Sequence, residues 1–220
     1  MAEQKKIIRV LVLSDQVNAI LYSPDILPRF ENVDLVLSCG DLPFPYLEYV
    51  LTVLNVPMLY VPGNHDRAMH TFDGRTIEAP EGAINIDARL ITLRLPHVRP
   101  LTIAGFGGSM YYGGTSNQYT DWQMRRRIAS IEPRLLWTRI TTRRGIDVLV
   151  THAPPYGIHD GLDRCHQGFR SFLSFLRRYR PSHHFHGHVH PAYGYDVAPK
   201  MYHGTQIRNV YGYEVLEISI

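Results

Sequence analysis

The stretch Ile-Ile-Arg-Val-Leu-Val-Leu-Ser-Asp at residues 7–15 decides the fold. A continuous run of β-branched residues and leucines is typical of a strand that is buried on both faces of a parallel sheet. The pattern returns at 33–37 and 56–60, and segments long enough for helical turns, 25–30 and 46–54, lie between the runs. This alternation predicts β-α-β-α-β and therefore a parallel sheet.

The second half of the chain is richer in predicted strands. They cover residues 88–95, 101–104, 146–150, 182–185 and 211–220. The simplest architecture for this order of elements is an α/β fold in which two sheets pack together as a β-sandwich flanked by helices.

Two helical regions are predicted in that half. The first opens at Thr120-Asp121-Trp122-Gln123, a capping-box pattern, and runs through residue 128. Pro133 suits the first turn of a second helical piece over 131–140. The other helix covers 168–180 and presents one apolar stripe, formed by Phe169, Phe172, Leu173, Leu176 and Tyr179. Core packing explains such a stripe better than a cofactor site does.

Composition limits the class of protein. The chain has 220 residues, 45% of them hydrophobic, which predicts one domain over residues 1–220 with a sizeable core. No stretch has signal-peptide or membrane-span length, and the two cysteines are too few for a disulfide framework. We therefore predict a cytoplasmic protein without a membrane partner, and the sequence leaves its oligomeric state open.

Basic residues could imply a nucleic-acid partner, although the net charge is only +3. Arginines cluster at 125–127, 143–144 and 177–180. Solvated helix faces are the ordinary explanation for such clusters, and attraction of a phosphorylated or nucleic-acid partner is the alternative. Because no nucleic-acid motif lies nearby, such a partner is possible but not indicated.

Carboxylates, imidazoles and a carboxamide follow several of the predicted strands. Asp15 and Asp41 each end a buried run, where a lone carboxylate would ordinarily be a turn or capping residue. The most specific element is Gly63-Asn64-His65-Asp66, whose alternative is a polar turn. His152, and His188 with His190, follow two further strands. Hard oxygen and nitrogen ligands at converging strand ends are what a two-metal hydrolytic site requires.

Two further features lie near these residues in the sequence. The loop over 105–114 is rich in glycine and tyrosine, so its amides could bind phosphate and its rings could stack on a base, while a hairpin connection is an equal alternative. His159 and His166 flank two aspartates just after His152, and a substrate-side role is one interpretation of them.

The ordered set of motifs resembles the signature of the calcineurin-like metallophosphoesterases. It extends over nearly the whole chain: Asp15, Gly40-Asp41, Gly63-Asn64-His65-Asp66, His152 and Gly187-His188-Val189-His190. Three more stretches are similar to a small bacterial-type branch: Gly107-Gly108-Ser109, Asn117-Gln118-Tyr119-Thr120 and His166-Gln167-Gly168-Phe169. The resemblance implies a β-sandwich with α-β-β-α layers.

The resemblance also implies two divalent metal ions. Position A would use Asp15, Asp41 and His190, and position B would use Asp41, Asn64, His152 and His188, with Asp41 shared. Nitrogen and oxygen ligands without a thiolate suit Mn, Fe, Zn, Co or Ni, and Mn is the first choice in vitro. A metal-bridging hydroxide would attack phosphorus while His65 serves the leaving oxygen and Asp66 orients His65 or caps a turn. No organic cofactor is expected.

The sequence departs from the family pattern in two places. The first motif usually reads Asp-x-His, but here Val17 stands at the histidine position, so water, Asn18 or another residue would fill the gap. The acidic and arginine residues of the protein-phosphatase branch are replaced by Leu42-Pro43-Phe44-Pro45. This argues against a protein phosphatase.

The sequence therefore predicts a metal-dependent phosphoesterase acting on a small phosphodiester or phosphomonoester. The alternatives are a low-activity binding or regulatory module that retains the fold, and a nuclease.

Overall fold

A computed structural model describes residues 7–70, 74, 76–96, 98–114, 116–142, 145–191, 194 and 197–219. The strands are β1 (Ile7–Ser14), β2 (Leu35–Ser38), β3 (Met58–Tyr60), β4 (Met69–His70), β5 (Thr76–Ile77), β6 (Ile84–Asn85), β7 (Arg89–Leu93), β8 (Leu101–Phe106), β9 (Ser109–Met110), β10 (Gln118–Tyr119), β11 (Val148–Thr151), β12 (His183–His186), β13 (Lys200–Tyr202), β14 (Thr205–Asn209) and β15 (Gly212–Ser219). The helices are α1 (Ile26–Phe30), α2 (Phe44–Leu54), α3 (Asp121–Thr142) and α4 (Arg170–Tyr179).

Two larger sheets form the centre of the fold. The first has the order β15-β1-β2-β3-β6, and its strands are parallel except for β15. The second has the order β13-β14-β12-β11-β8-β7, with a parallel centre and antiparallel edges. The two short pairs β9–β10 and β4–β5 lie outside these sheets. The parallel sheet predicted for the first half of the chain is confirmed, and the second half also contains parallel strands.

Alternating residues of each sheet face two different apolar layers. Val10 and Val12 of β1 belong to the core between the sheets, where Val150 and Phe185 come from the other side. Their neighbours on β1 turn outward and pack with α1 and α2. Helices α3 and α4 cover the outer face of the second sheet. Since burying one such aliphatic side chain contributes about 1.5–3 kcal/mol, this layering stabilises the predicted α-β-β-α sandwich.

Helix α3 differs from the prediction. Residues 121–142 form one helix with Pro133 inside it, so the predicted break between 128 and 131 is wrong. Met124, Ile128, Ile131 and Leu135 make one buried stripe that continues through this point. Pro133 lies on the exposed side, where water can satisfy the carbonyl that the proline cannot bind. Packing of the stripe therefore outweighs the local cost of the proline.

The start of α3 agrees with the sequence. Thr120 and Gln123 form the predicted reciprocal cap: the Gln123 amide donates to Thr120 Oγ1 at 3.2 Å, and the Thr120 amide donates to Gln123 Oε1 at 2.8 Å. The predicted stripe of α4 is confirmed in part: Phe172 and Leu176 are buried, and so is Phe169 just before the helix. Leu173 and Tyr179 are only half-buried, whereas Phe175 is buried and was not predicted. The edge strand β13 and its neighbour β14 were not predicted. Residue 220, the end of the last predicted strand, lies outside the described residues.

A helix needs about 20 mostly apolar residues to span a membrane, and the four helices can be compared with this requirement. Within the described ranges, none of them combines the length and the apolar character needed to cross a bilayer.

Candidate metal centre

Strand ends from both sheets deliver the predicted ligands to one place. Asp15 directly follows β1, Asp41 follows β2 after two residues, and Asn64 lies four residues beyond β3. From the second sheet, His152 directly follows β11, and His188 lies two residues beyond β12. Because the carboxyl ends of parallel strands meet at one edge of a sheet, two aligned sheets bring these side chains to a common seam.

The backbone is strained where it presents these ligands. Asp15, Asp41 and His188 have φ angles of 61°, 57° and 70°, in the left-handed region. Each such residue costs roughly 1–2 kcal/mol relative to ordinary backbone geometry. Strain of this kind is retained where a functional geometry requires it. Three strained ligand candidates at one seam therefore support a functional role for it.

Two glycines allow the strand ends to approach one another. A Cβ atom at Gly63 would overlap the Asp41 carboxylate, and one at Gly187 would overlap Ser14 Oγ and the Asp15 carboxylate. A side chain at either position would fill the space that the carboxylates now occupy. The lack of room for a Cβ atom explains why Gly-Asn-His-Asp and Gly-His-Val-His both begin with glycine.

The donor atoms of position B converge. His152 Nε2 lies 2.9 Å from Asn64 Oδ1 and 3.3 Å from Asp41 Oδ2. Asp41, His152 and His188 each offer one ligand atom, and these three atoms lie within 4.8 Å of one another. A carboxylate, a carboxamide oxygen and two imidazoles make a donor set suited to a divalent transition metal. The residues present thus fit an ion at position B.

Backbone carbonyls fix the orientation of both imidazoles. His152 Nδ1 lies 2.7 Å from the Cys39 carbonyl oxygen, and His188 Nε2 lies 2.6 Å from the Cys165 carbonyl oxygen. Since a carbonyl only accepts, each of these nitrogens carries a proton and donates it. In the neutral imidazoles this leaves His152 Nε2 and His188 Nδ1 with the lone pairs that a metal needs.

Burial and neighbouring charges shift the pKa values of the ligand candidates at position B. Burial alone would raise the pKa of Asp41, but the neighbouring His152 outweighs burial and keeps it below its ordinary value. Burial likewise opposes the charged form of His152, and the Asp41 carboxylate nevertheless raises its pKa above the ordinary value. Burial, followed by the charge of His152, lowers the pKa of His188 to about 4. His188 is therefore neutral near pH 7 and able to bind a metal.

Position A has fewer ligand candidates. His190 Nε2 lies 3.5 Å from Asp15 Oδ1, and the other Asp15 oxygen accepts the His188 amide at 2.8 Å. Val17 is 41% exposed and cannot ligate. The Asn18 carboxamide oxygen accepts the Ile20 amide at 3.0 Å, so it is occupied within its own turn. Asn18 is accordingly a poor substitute for the missing histidine.

His65 and Asp66 lie beside the ligands in different environments. The His65 amide donates to Asp41 Oδ1 at 2.8 Å, while its exposed side chain lines the neighbouring cavity. One Asp66 oxygen accepts the amides of Gly63 at 2.8 Å and Asp41 at 3.2 Å. Asp66 therefore braces two ligand-bearing turns. Among the described residues, no side-chain hydrogen bond to the His65 imidazole is present.

A cavity of about 380 Å³ opens over these groups. It is lined by Asp15, Asp41, His65, Tyr112, Cys165, His166, His188 and His190. His166 thus reaches the cavity, whereas His159 is buried against His186 and contacts the Ala198 carbonyl. The two histidines that the sequence paired have separate environments.

Sequence reasoning did not single out several residues that shape the site. Asn64 Nδ2 donates to the Tyr112 hydroxyl at 3.0 Å, and Asn117 Nδ2 donates to the Gly63 carbonyl at 3.0 Å. Both come from the segment around the glycine-rich loop, whose tyrosines were the available signal. The carbonyls of Cys39 and Cys165 left no signal, because any residue type supplies a carbonyl.

The chain is similar to known proteins in sequence and in fold. The sequence model of the calcineurin-like phosphoesterases matches residues 8–192. The chain belongs to this family. Its members are in general metal-dependent phosphoesterases with a dinuclear site for divalent ions, and the Asp and His groups described above are the candidate ligands here.

Solved structures share the fold. The crystal structure of TT1561 of Thermus thermophilus is similar with a TM-score of 0.59 at 14% identity, over 97% of this chain and 99% of that one. Another crystal structure gives a TM-score of 0.61, also at 14% identity and with the same coverage of both chains. No curated protein matches the chain. At this identity the likeness establishes the metallophosphoesterase-type sandwich and nothing narrower.

Proposed function

We propose that this protein hydrolyses a small phosphodiester or phosphomonoester with the help of two divalent metal ions. The observation that carries the proposal is the convergence of Asp41, Asn64, His152 and His188 at the seam between the sheets of a calcineurin-like phosphoesterase. A scaffold that binds no metal would have no need for these strained, carbonyl-oriented ligands.

Separate residues would bind the two ions and hold the ligands in position. Asp41, Asn64, His152 and His188 would hold one ion, and Asp15, Asp41 and His190 the other. When bound, the ions would activate a water nucleophile and neutralise charge on the phosphoryl oxygens. Asp66 and Tyr112 keep the ligand-bearing turns and the Asn64 carboxamide in position.

His65 is the candidate proton donor. Its imidazole lines the cavity beside Asp41 and has solvent access. It is therefore within reach of a leaving oxygen that points away from the ligands, and a proton given there would stabilise the departing alkoxide. This role is separate from metal binding, because His65 uses its backbone amide, and not its ring, to contact Asp41.

The size of the cavity supports a small substrate. A volume of about 380 Å³ lies at the low end of the range for small-molecule sites. Of the described residues that line it, none is an arginine. The arginines at 177–180 line a different pocket, while Arg143 and Arg144 lie outside the described residues. This arrangement gives no specific support to a nuclease.

The test is turnover by protein freed of metal and then supplied with Mn²⁺. A panel of aryl diesters, aryl monoesters and cyclic nucleotides should contain at least one substrate whose hydrolysis depends on added Mn²⁺. Asp41→Asn should lower that rate by about 100-fold or more, since it removes charge that holds both positions. Asp25→Asn, at an exposed aspartate that caps nothing through its side chain, is the matched control.

Two results would contradict the proposed phosphoesterase activity. Stoichiometric Mn²⁺ binding without turnover of any member of the panel would favour the low-activity binding module. Equal activity of the Asp41→Asn and wild-type proteins would remove position A and position B as the reaction site.

A further inference from the structure

A second group of metal-binding side chains lies on the loop between β11 and α4. Cys165 Sγ lies 2.7 Å from Asp163 Oδ1 and 3.3 Å from His166 Nδ1. The same Asp163 oxygen lies 2.9 Å from His166 Nδ1. One donor atom from each of the three residues falls within 4.8 Å of the others. One oxygen, one sulfur and one nitrogen donor therefore converge from three residues within the four-residue stretch 163–166.

The loop holds the carboxylate in place before any ion arrives. Asp163 Oδ1 accepts the backbone amides of Cys165 at 3.1 Å and of His166 at 3.0 Å. In the metal-free protein the Cys165 thiol donates to this oxygen. A divalent cation would take the place of that proton, which would pass to solvent, and would gain a thiolate ligand.

This group is open to solvent and lies at the rim of the cavity. The Asp163 side chain is 45% exposed and that of His166 is 21% exposed, so an ion has access. Cys165 and His166 also line the cavity, and the Cys165 carbonyl accepts the proton of His188 Nε2. The loop is thus joined to position B by a hydrogen bond while using its own donor atoms.

We propose that Asp163, Cys165 and His166 form a separate site for a thiophilic divalent cation of the Zn²⁺ type. Three protein ligands with one open position are an arrangement that Zn²⁺ adopts readily. A thiolate donor distinguishes this site from positions A and B, whose candidate ligands are nitrogen and oxygen atoms only. The proposal does not depend on phosphoesterase activity.

Cobalt gives a direct test, because Co²⁺ substitutes for Zn²⁺ and a thiolate bound to it produces a charge-transfer band in the near ultraviolet. Co²⁺ would be titrated into the metal-free, full-length protein in a non-thiol reductant. We expect the band to develop in the wild-type protein and to vanish in Cys165→Ser. The Cys39→Ala variant is the matched control and should keep the band, since Cys39 is fully buried in the core.

Asp163→Asn provides a second variant that preserves shape. It should weaken Co²⁺ binding at the charge-transfer site by roughly 10-fold or more, because loss of a ligand is at least as costly as loss of its supporting partner. Equilibrium dialysis with Zn²⁺ should show one ion fewer per chain in Cys165→Ser. Circular dichroism would verify that each variant is folded.

The opposite results would overturn the proposal. Binding of Co²⁺ to the wild-type protein without a charge-transfer band would exclude a thiolate ligand. A band that persists in Cys165→Ser would assign it to another sulfur, and an unchanged affinity in Asp163→Asn would exclude the carboxylate.

Discussion

Asp66 offers the sharpest test of how the ligand-bearing turns are held. Asp66→Ala removes the oxygen that accepts the amides of Gly63 and Asp41. A buried amide left without its acceptor costs about 1–3 kcal/mol, so losing the acceptor of both amides should destabilise the metal-free protein by about 2–6 kcal/mol at pH 5. Asp66→Asn keeps an acceptor oxygen and should lose clearly less.

The loss of stability in Asp66→Ala should also depend on pH. Burial, with a smaller effect from Asp41, raises the pKa of Asp66 from 3.8 to about 6. The folded protein then binds more protons at this carboxyl than the unfolded chain between these values, so wild-type stability falls as pH rises through them. Between pH 5 and pH 8 this titration lowers wild-type stability by about 1.4 kcal/mol. The Ala variant lacks the titration, so its deficit should shrink by that amount at pH 8.

Urea unfolding in excess chelator at both pH values measures these differences. Mn²⁺-dependent turnover is then recorded at saturating metal. If Asp66→Ala leaves the unfolding free energy unchanged at both pH values yet abolishes turnover, Asp66 acts in the reaction itself and the bracing argument is wrong.

Four further outcomes follow from the same geometry. His65→Ala should slow hydrolysis of esters with poor leaving groups by about 100-fold, with far less effect on activated aryl esters and no effect on metal content. The control is His70→Ala, and equal losses on both ester types would refute the role of His65 as proton donor. Val17→His should raise Mn²⁺ affinity at position A and activity at low Mn²⁺, compared with Val17→Ala; coincident Mn²⁺ curves would mean that residue 17 does not face the metals. Tyr112→Phe removes the acceptor of the Asn64 amide and should weaken metal binding about 2- to 10-fold, whereas Tyr111→Phe should leave it unchanged in equilibrium dialysis. A chelator titration should release metal in two classes, position A before position B, and simultaneous release would contradict the ligand assignment.

The position of several ligand candidates could be predicted from the sequence, because in this fold the strand ends lie at one edge of each sheet. Asp15, Asp41 and His152 each follow an apolar run, and parallel strands deliver their carboxyl ends to one edge. The continuous apolar run of β1 is equally local, and it correctly indicates a strand with both faces buried. The family resemblance then put Asn64 and His188 in the same group.

Other features depend on distant parts of the chain and escaped prediction. The contact between Asn64 and Tyr112 joins residues 48 positions apart, and no local pattern encodes it. Pro133 shows the reverse: a strong local signal was overridden by the stripe that α3 buries against its sheet. Strand β14 alternates buried and half-buried residues, but its polar composition conceals this period in the sequence.

Metal binding at the seam between the two sheets is coupled to the folding of both halves of the chain. His152 bonds to the Cys39 carbonyl 113 residues away, and the His188 amide bonds to Asp15 across 173 residues. Position B takes Asp41 and Asn64 from the first half of the chain and His152 and His188 from the second, so neither half could bind an ion there alone. An ion present at 100 times its dissociation constant would favour the assembled chain by about 2.7 kcal/mol. Metal occupancy would thus act as a cross-link between the two halves of the chain, formed only once both have folded.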